Sequence, residues 1–239
     1  MAGTDVLLTG FFGTSDRGFL GWSGLYLVTT PSGRRIMFDT AGYNERGTIP
    51  KLLNERRLTP ADIDCVVISH LHFDHAANWD LFVNAEILVH ESEVAYAQAS
   101  DDIALLRYPV PALLAHKRLR LITGETAALE NGVQIFHVPG HTPGAIALVM
   151  NDSVLCGDAL KSRWDLRGYL MNTWNDGLSR QSIQKITGLG NRIYPGHDVP
   201  LERCGNEWHP SGTPSVRIHF PDGSEHIVQP PSEIVTAVG

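Results

Sequence analysis

The sequence predicts an α/β protein, a sandwich of two β-sheets covered by helices, on three observations. Short apolar strand-like runs alternate with helical stretches through the first half of the chain. The second half has a similar order, strands first and then a helix, although no sequence repeat is measurable. Finally, 239 residues that are 43% hydrophobic can bury a substantial core, yet no apolar run approaches the roughly 20 residues of a membrane-spanning helix.

The chain opens with the strand DVLLTG, followed by GLYLVTT and RIMFDT, joined by the turn PSGR in which Pro31 and Gly33 supply turn conformations. Between the first two strands lies FFGTSDRGFLGWSG, a Gly-rich loop whose Phe11, Phe12, Phe19 and Trp22 either fold onto the core or hang over a pocket. A helix is expected over 48–58, with Pro50 in its first turn and Ile49, Leu52, Leu53 and Leu58 at helical spacing. TPADID reads as a capped turn, CVVIS as a fully apolar strand ending at His70, AANWDLFVN as helical, EILVH as a strand and ESEVAYAQA as a helix, with an irregular stretch over 101–120. VQIFHV, AIALVM and SVLCGD are strands, the last two joined by a hairpin turn at Asn151 and Asp152. KSRWDLRGYLMNTWNDG has no clean period, SRQSIQKI reads as a helix and NRIY as a strand. WHPSGTPS has the composition of a connector, and SVRIHF and SEHIVQ should pair around PDG. The chain therefore divides into a main domain, 1–207, and an extension, 208–239, of connector plus hairpin. That hairpin either closes an edge of the domain or reaches a second subunit.

Composition removes several function classes. A formal net charge of −7 without a basic cluster argues against nucleic acid as a partner, and no segment points to a membrane, which leaves a small-molecule substrate. Cys65, Cys156 and Cys204 are an odd number without CxxC spacing, so they form neither a disulfide framework nor a metal knuckle. MAGTDVLLTG lacks the basic and apolar regions of a secretory signal, and the cytoplasm is the expected location.

The chemistry concentrates in HLHFDH, 70–75. Side chains two apart share a face of an extended segment, so His70 and His72 converge while Leu71 and Phe73 point into the core. A turn after Phe73 sends Asp74 and His75 to a neighbouring point, and an oxygen plus a nitrogen ligand there suit a second divalent ion. His141 in VPGHTPG, Asp158 in LCGDAL and His197 in YPGHDV each follow an apolar strand and a glycine, which lets the backbone turn sharply toward an ion. Buried imidazoles and carboxylates are costly to keep unpaired, which favours metal over coincidence. Asp39 and Asp198 are candidates to fix the second nitrogen of a ligand histidine. Lys161, Arg163 and Arg167 are candidates to read a carboxylate or carbonyl, with Trp164, Tyr169 and Trp174 lining an apolar cleft.

These seven residues, with DTAG at 39–42 in the same order, resemble the HxHxDH, H, D, H signature of the metallo-β-lactamase superfamily. The resemblance implies an αββα sandwich of two mixed β-sheets flanked by helices, with 1–207 as the hydrolase domain. It implies that His70, His72 and His141 hold one metal, Asp74, His75 and His197 a second, and that Asp158 bridges them. Two divalent ions, zinc first with iron, manganese or cobalt compatible, would then share a hydroxide that attacks an ester-like carbonyl. Asp74 and Asp158 are the expected catalytic carboxylates, Asp74 shuttling a proton to the leaving group. The HLHFDHA form looks most like the N-acyl-homoserine lactonases, although those carry a tyrosine where this chain has Lys161. Flavodiiron relatives carry a glutamate where this chain has His72, which sides it with the hydrolases. The alternatives are a thioester hydrolase of the glyoxalase II kind and an iron-dependent redox enzyme on the same fold. A homodimer is the assembly the resemblance implies.

Overall fold

In the computed structural model, which describes residues 3–105, 109–230 and 235–236, two mixed sheets lie face to face. The first runs, in spatial order, Gly3–Leu8, Leu25–Thr29, Arg35–Phe38, Cys65–Val67, Glu86–His90 and Leu119–Ile122. Its first two pairings are antiparallel and the other three parallel. The second runs Val235–Thr236, Glu207–Pro210, Leu201–Cys204, Arg192–Pro195, Ser153–Gly157, Ile146–Met150, Val133–His137 and Thr126–Glu130. Ser153–Gly157 and Arg192–Pro195 are its parallel pair.

Strand alternation sorts the apolar side chains between two destinations. Tyr26, Val28, Ile36, Phe38, Cys65 and Val67 point between the sheets and meet Ile135, Ile146, Leu148 and Leu155 of the second sheet. Leu25, Leu27, Met37 and Val66 turn outward, where Ile49 and Leu53 of the helix Ile49–Glu55 and Val94 of the helix Glu91–Ala99 cover them. On the far side Ala147, Val154, Ile193 and Trp208 pack under Ile183 and Ile186 of the helix Asp176–Leu189. Each buried Ile, Leu or Val of these layers contributes about 1.5–3 kcal/mol of transfer free energy. The result is the expected order of helix, sheet, sheet, helix.

Several elements fall where the sequence places them. Thr48 precedes the helix Ile49–Glu55 with Pro50 in its first turn, and Thr59 and Asp62 form a capping box around the short 3₁₀ turn Pro60–Asp62. Cys65 and Cys156 are buried and Cys204 is exposed, all three as free thiols.

Others differ. AANWDLFVN is not a helix: a single helical turn, Phe73–Ala76, begins earlier, and a 3₁₀ turn follows at Trp79–Leu81. The stretch over 101–120 contains the helix Pro109–Leu114 and the start of the strand Leu119–Ile122. The helix Asp176–Leu189 is longer than SRQSIQKI at both ends. The strands Thr126–Glu130 and Leu201–Cys204 carry weak apolar patterns because most of their side chains are only partly covered. The connector reading of WHPSGTPS gives way at its start: Glu207–Pro210 is a strand of the main sheet, crossing the expected 207/208 boundary, and Trp208 is fully buried. Beyond it, Val216–His219 and Glu225–Val228 pair as their own two-stranded sheet, with Gly223 at positive φ in the turn. Val235–Thr236 then pairs with Glu207–Pro210 at the sheet edge. Among the described residues no helix is long and apolar enough to cross a membrane.

Candidate metal centre

His70, His72, Asp74, His75, His141, Asp158 and His197 converge at one end of the sandwich, all of them nearly or fully buried. The strand Cys65–Val67 delivers His70 and His72 in extended backbone. His72 is then the N-cap of the turn Phe73–Ala76, which swings Asp74 and His75 inward. Because the alternation ends at His72, Phe73 does not enter the core but lines the cavity beside the site.

Two glycines are required by close packing. A Cβ on Gly196 would lie 2.0 Å from Asp158 Oδ1 and 2.9 Å from the Gly157 backbone. Gly157, at φ +50°, would place one 2.4 Å from Ser69 Oγ.

The distances bring the donors into overlapping groups, two of them histidine-rich triads and a third, His70, His75 and Asp158, that links the two. Ligand atoms of His70, His72 and His141 lie within 4.8 Å of one another, as do those of Asp74, His75 and His197. Asp158 stands between them: Oδ2 is 3.4 Å from His141 Nε2, while Oδ1 is 3.1 Å from His75 Nε2 and 3.3 Å from His197 Nε2. Two ring nitrogens about 2.0–2.1 Å from one tetrahedral ion would be about 3.3 Å apart. His72 Nδ1 and His141 Nε2 are 3.1 Å apart, and His75 Nε2 and His197 Nε2 are 3.4 Å apart. His70 Nε2 is buried without a hydrogen-bond partner. The residues present therefore fit divalent ions.

Four of the five histidines have their outward nitrogen fixed. Asp39 Oδ2 is 2.8 Å from His75 Nδ1, and Asp39 also accepts from the Ser69 backbone N–H at 2.6 Å and its hydroxyl at 2.9 Å. Asp39 adopts φ +62°, an uncommon conformation for a non-glycine residue, held by these contacts. Asp102 Oδ2 is 3.1 Å from His72 Nε2 and accepts from the Tyr96 hydroxyl, while its Oδ1 accepts from the Ala104 backbone N–H. His70 Nδ1 is 3.0 Å from Ser69 Oγ, and His197 Nδ1 donates to the Trp22 carbonyl at 3.0 Å. Such partners set tautomer and ring direction, and removing one typically costs 10- to 100-fold in metal affinity. Asp39→Ala is expected to weaken metal binding by about 10- to 100-fold, read by competition with a chromogenic chelator; unchanged affinity would show that His75 orients itself.

Electrostatics divides the histidines. Burial, reinforced for His70 by neighbouring imidazoles and for His141 by the Lys161 ammonium, holds both well below the ordinary histidine range, neutral and ready to coordinate. Burial also opposes charge on His75 and His197, but Asp158 and Asp74 outweigh it and raise both.

Residues 24–197 match the family model of the metallo-beta-lactamase superfamily. The chain belongs to that superfamily. An N-acyl homoserine lactonase of Bacillus sp. is 29% identical over 178 residues, covering 66% of this chain and 69% of that one. A probable metallo-hydrolase of Methanocaldococcus jannaschii is 27% identical over 165 residues, covering 68% and 70%. Among solved structures, a putative metallo-beta-lactamase from Thermotoga maritima superposes with a TM-score of 0.68 at 23% identity, covering 84% of this chain and 98% of that one. With the histidine and aspartate cluster, this superfamily membership makes the protein a metal-dependent hydrolase.

Beside the histidine and aspartate cluster lies a cavity of about 260 Å³. Phe11, Phe12 and Phe19 line it, so the aromatic loop hangs over a pocket. From KSRWDLRGYLMNTWNDG only Lys161, Met171 and Asn172 are among the described lining residues. Tyr169 and Trp174 are mostly exposed, and the Arg167 guanidinium lies over the Trp164 ring. Arg163 is buried in a two-pronged pair with Asp198, at 2.7 and 2.6 Å, so Asp198 serves Arg163 rather than a ligand histidine.

Two supporting carboxylates have no sequence signal. Asp102 lies in the irregular stretch. Glu93 is fully buried and accepts the Leu71 and Gly144 backbone N–H groups at 2.9 and 3.1 Å, tying the HLHFDH segment to the His141 loop.

Burial pushes Asp165 up to about 7, against the lowering effect of the Lys161 and Ser162 backbone N–H groups it accepts. Its folded pKa thus exceeds the roughly 3.9 of an unfolded Asp, and its contribution to stability is full below about pH 4 and is lost as pH rises through about 7. Asp165→Asn should therefore flatten the fall in melting temperature between pH 5 and 8; an equally steep fall in the variant would assign that pH dependence elsewhere.

Proposed function

We propose that this chain is a binuclear hydrolase that opens an ester-like carbonyl, a lactone in preference to a thioester. His70, His72 and His141 hold one ion, Asp74, His75 and His197 the other, and Asp158 spans them. The observation that supports this is the split of the Asp158 carboxylate, one oxygen toward His141 and the other toward His75 and His197. Zinc suits this imidazole-rich set of nitrogens and oxygens. A pair of divalent ions supplies a water-derived nucleophile near neutral pH and polarises the carbonyl.

The protein's own residues do the rest. Asp74 Oδ2 lies 3.3 Å from His197 Nε2 at the cavity edge, where it can pass a proton to the departing oxygen. The aromatic wall of Phe11, Phe12, Phe19 and Phe73 takes the carbon skeleton and keeps bulk water from the carbonyl. The small cavity and the net charge of −7 favour a small molecule over a polyanion. The named activity of the Bacillus relative supports the lactone over a β-lactam or phosphodiester.

The test is metal content by mass spectrometry on protein purified without chelator, with turnover of a lactone, a thioester, a β-lactam and a phosphodiester by the same sample. About two ions per chain and lactone opening, both lost on dialysis against chelator and restored by zinc, are expected. Less than one ion per chain after reconstitution would overturn the binuclear reading. Two ions with turnover of a different ester class would overturn the lactone preference alone.

A further inference from the structure

We infer that Glu93 is a positioning residue for one half of the site: its carboxylate ties the segment carrying His70 and His72 to the loop carrying His141, and so sets the affinity for the ion those three histidines hold. The inference rests on the two-ion assignment proposed above and names the side chain that governs one of the two ions.

The three histidines come from different sheets. His70 and His72 follow the strand Cys65–Val67 of the first sheet, and His141 stands between the strands Val133–His137 and Ile146–Met150 of the second. Apolar packing between the sheets is non-directional and does not by itself fix one strand end against another. A chelating triad needs that register, because His72 Nδ1 and His141 Nε2 must stay near their 3.1 Å separation to share an ion. Glu93 supplies it. Its Oε1 accepts the N–H of Leu71, the residue between His70 and His72, at 2.9 Å, and its Oε2 accepts the N–H of Gly144, in the loop after His141, at 3.1 Å. A backbone bond from the Ile146 N–H to the Ser69 carbonyl, 3.0 Å, crosses the same seam, and Glu93 adds the side-chain link.

Glu93 is fully buried, and an acid group in that position is costly to keep unless its oxygens are bonded. A Cβ on Gly144 would lie 2.1 Å from the Glu93 backbone nitrogen, so the loop rests directly on the first turn of the helix Glu91–Ala99. One turn further on, the Tyr96 hydroxyl donates to Asp102 Oδ2 at 3.0 Å, the same oxygen that lies 3.1 Å from His72 Nε2. The helix therefore reaches the His70, His72 and His141 triad at two places. The other triad is held from elsewhere: His75 by Asp39, the His197 ring by the Trp22 carbonyl, and the Asp74 backbone carbonyl by the Ser23 hydroxyl. Loss of the Glu93 link should thus disturb one ion and spare its neighbour. Glu93→Gln keeps the size of the side chain but puts an NH2, which cannot accept, in place of one oxygen, and so leaves one of the two N–H groups unpaired. Glu93→Asp keeps both oxygens on a stem too short to reach both segments.

The test is zinc affinity, by competition with a chromogenic chelator, of the whole chain in two backgrounds that each keep one triad, His197→Ala and His141→Ala. In His197→Ala, Glu93→Gln and Glu93→Asp should each weaken binding of the remaining ion by about 10- to 100-fold, and in His141→Ala neither should change it. Ile186→Val, in the core under the second sheet, controls for destabilisation alone and should change neither ion. Equal weakening in both backgrounds would make Glu93 a general structural residue and overturn the inference, as would weakening in neither. Amide exchange in the metal-free chain gives an answer that needs no ion: Glu93→Gln should speed exchange at Leu71, at Gly144 or at both, and unchanged exchange at the two would also overturn it. A wild type that holds a single ion, weakened by Glu93→Gln, would sustain the positioning role while the binuclear reading fails. Two ions in the wild type, with neither background sensitive to Glu93, would sustain the binuclear reading while the inference fails.

Discussion

Asp158→Ala is expected to lower ester hydrolysis by about 10³-fold or more and to release at least one of the two ions proposed above. The magnitude follows from position. Among the described residues Asp158 is the one carboxylate whose two oxygens reach members of both triads, at 3.4 Å to His141 and 3.1 and 3.3 Å to His75 and His197. Those imidazoles, with Lys161, hold it well below the usual carboxylate range despite its burial. On the proposed assignment, removing it deletes a ligand as well as the negative charge that balances the cluster. Asp158→Asn separates the two effects, keeping shape and one carbonyl oxygen while losing the charge. Metal content by mass spectrometry and kcat on one lactone check both variants, with circular dichroism confirming the fold. A variant that keeps two ions and normal turnover would overturn the bridging assignment.

What the sequence revealed and what it hid follow from how far each interaction reaches along the chain. The HLHFDH spacing carries its own geometry, since two extended residues and one helical turn suffice to aim His70, His72, Asp74 and His75. The glycines before Asp158 and His197 were readable from their place after an apolar strand, although what crowds them comes from other segments, Ser69 against Gly157 and Asp158 against Gly196. Asp39, in DTAG, was legible as a candidate orienter, and it grips His75. Asp198, with equal standing, grips Arg163. Nothing in either local sequence separates the two, because the partner comes from 35 or 36 positions away. Glu93 and Asp102 were invisible for the same reason: each looks like a surface acid of a helix or loop until the fold brings Leu71, Gly144 and His72 to it. Phe73 was misplaced because an alternation argument holds only while the backbone stays extended. The strand Thr126–Glu130 was missed because a strand at a sheet edge shows little apolar pattern.

Arg163→Ala is expected to cost about 3–5 kcal/mol of stability, the loss seen when one partner of a buried ion pair is removed. At this chain length each kcal/mol is worth about 2–4 °C of melting temperature, so a fall on the order of 10 °C should appear in a thermal melt. Arg163 is 1% exposed, and its Nε and Nη2 bind the two oxygens of Asp198 in parallel. Asp198 also accepts the backbone N–H groups of Arg163 at 3.0 Å and Val199 at 2.8 Å. Without the guanidinium, a buried carboxylate next to His197 would lose its counter-charge while its backbone contacts still hold it in place. The damage should therefore reach the site as well as the fold. His197 is the residue before Asp198, and its N–H rests on the Lys161 carbonyl two residues before Arg163, so both strands of this clamp move together. On the proposed assignment the ion held by Asp74, His75 and His197 should weaken more than the ion held by His70, His72 and His141, which a stepwise metal titration resolves. Pairing Arg163→Met with Asp198→Asn removes both charges and should restore part of the lost melting temperature while leaving the second ion weak, because an amide cannot accept all the contacts that two carboxylate oxygens do. A single variant that melts within about 2 °C of the wild type would mean that water reaches Asp198 once the arginine is gone, and that the clamp contributes little beyond its backbone bonds.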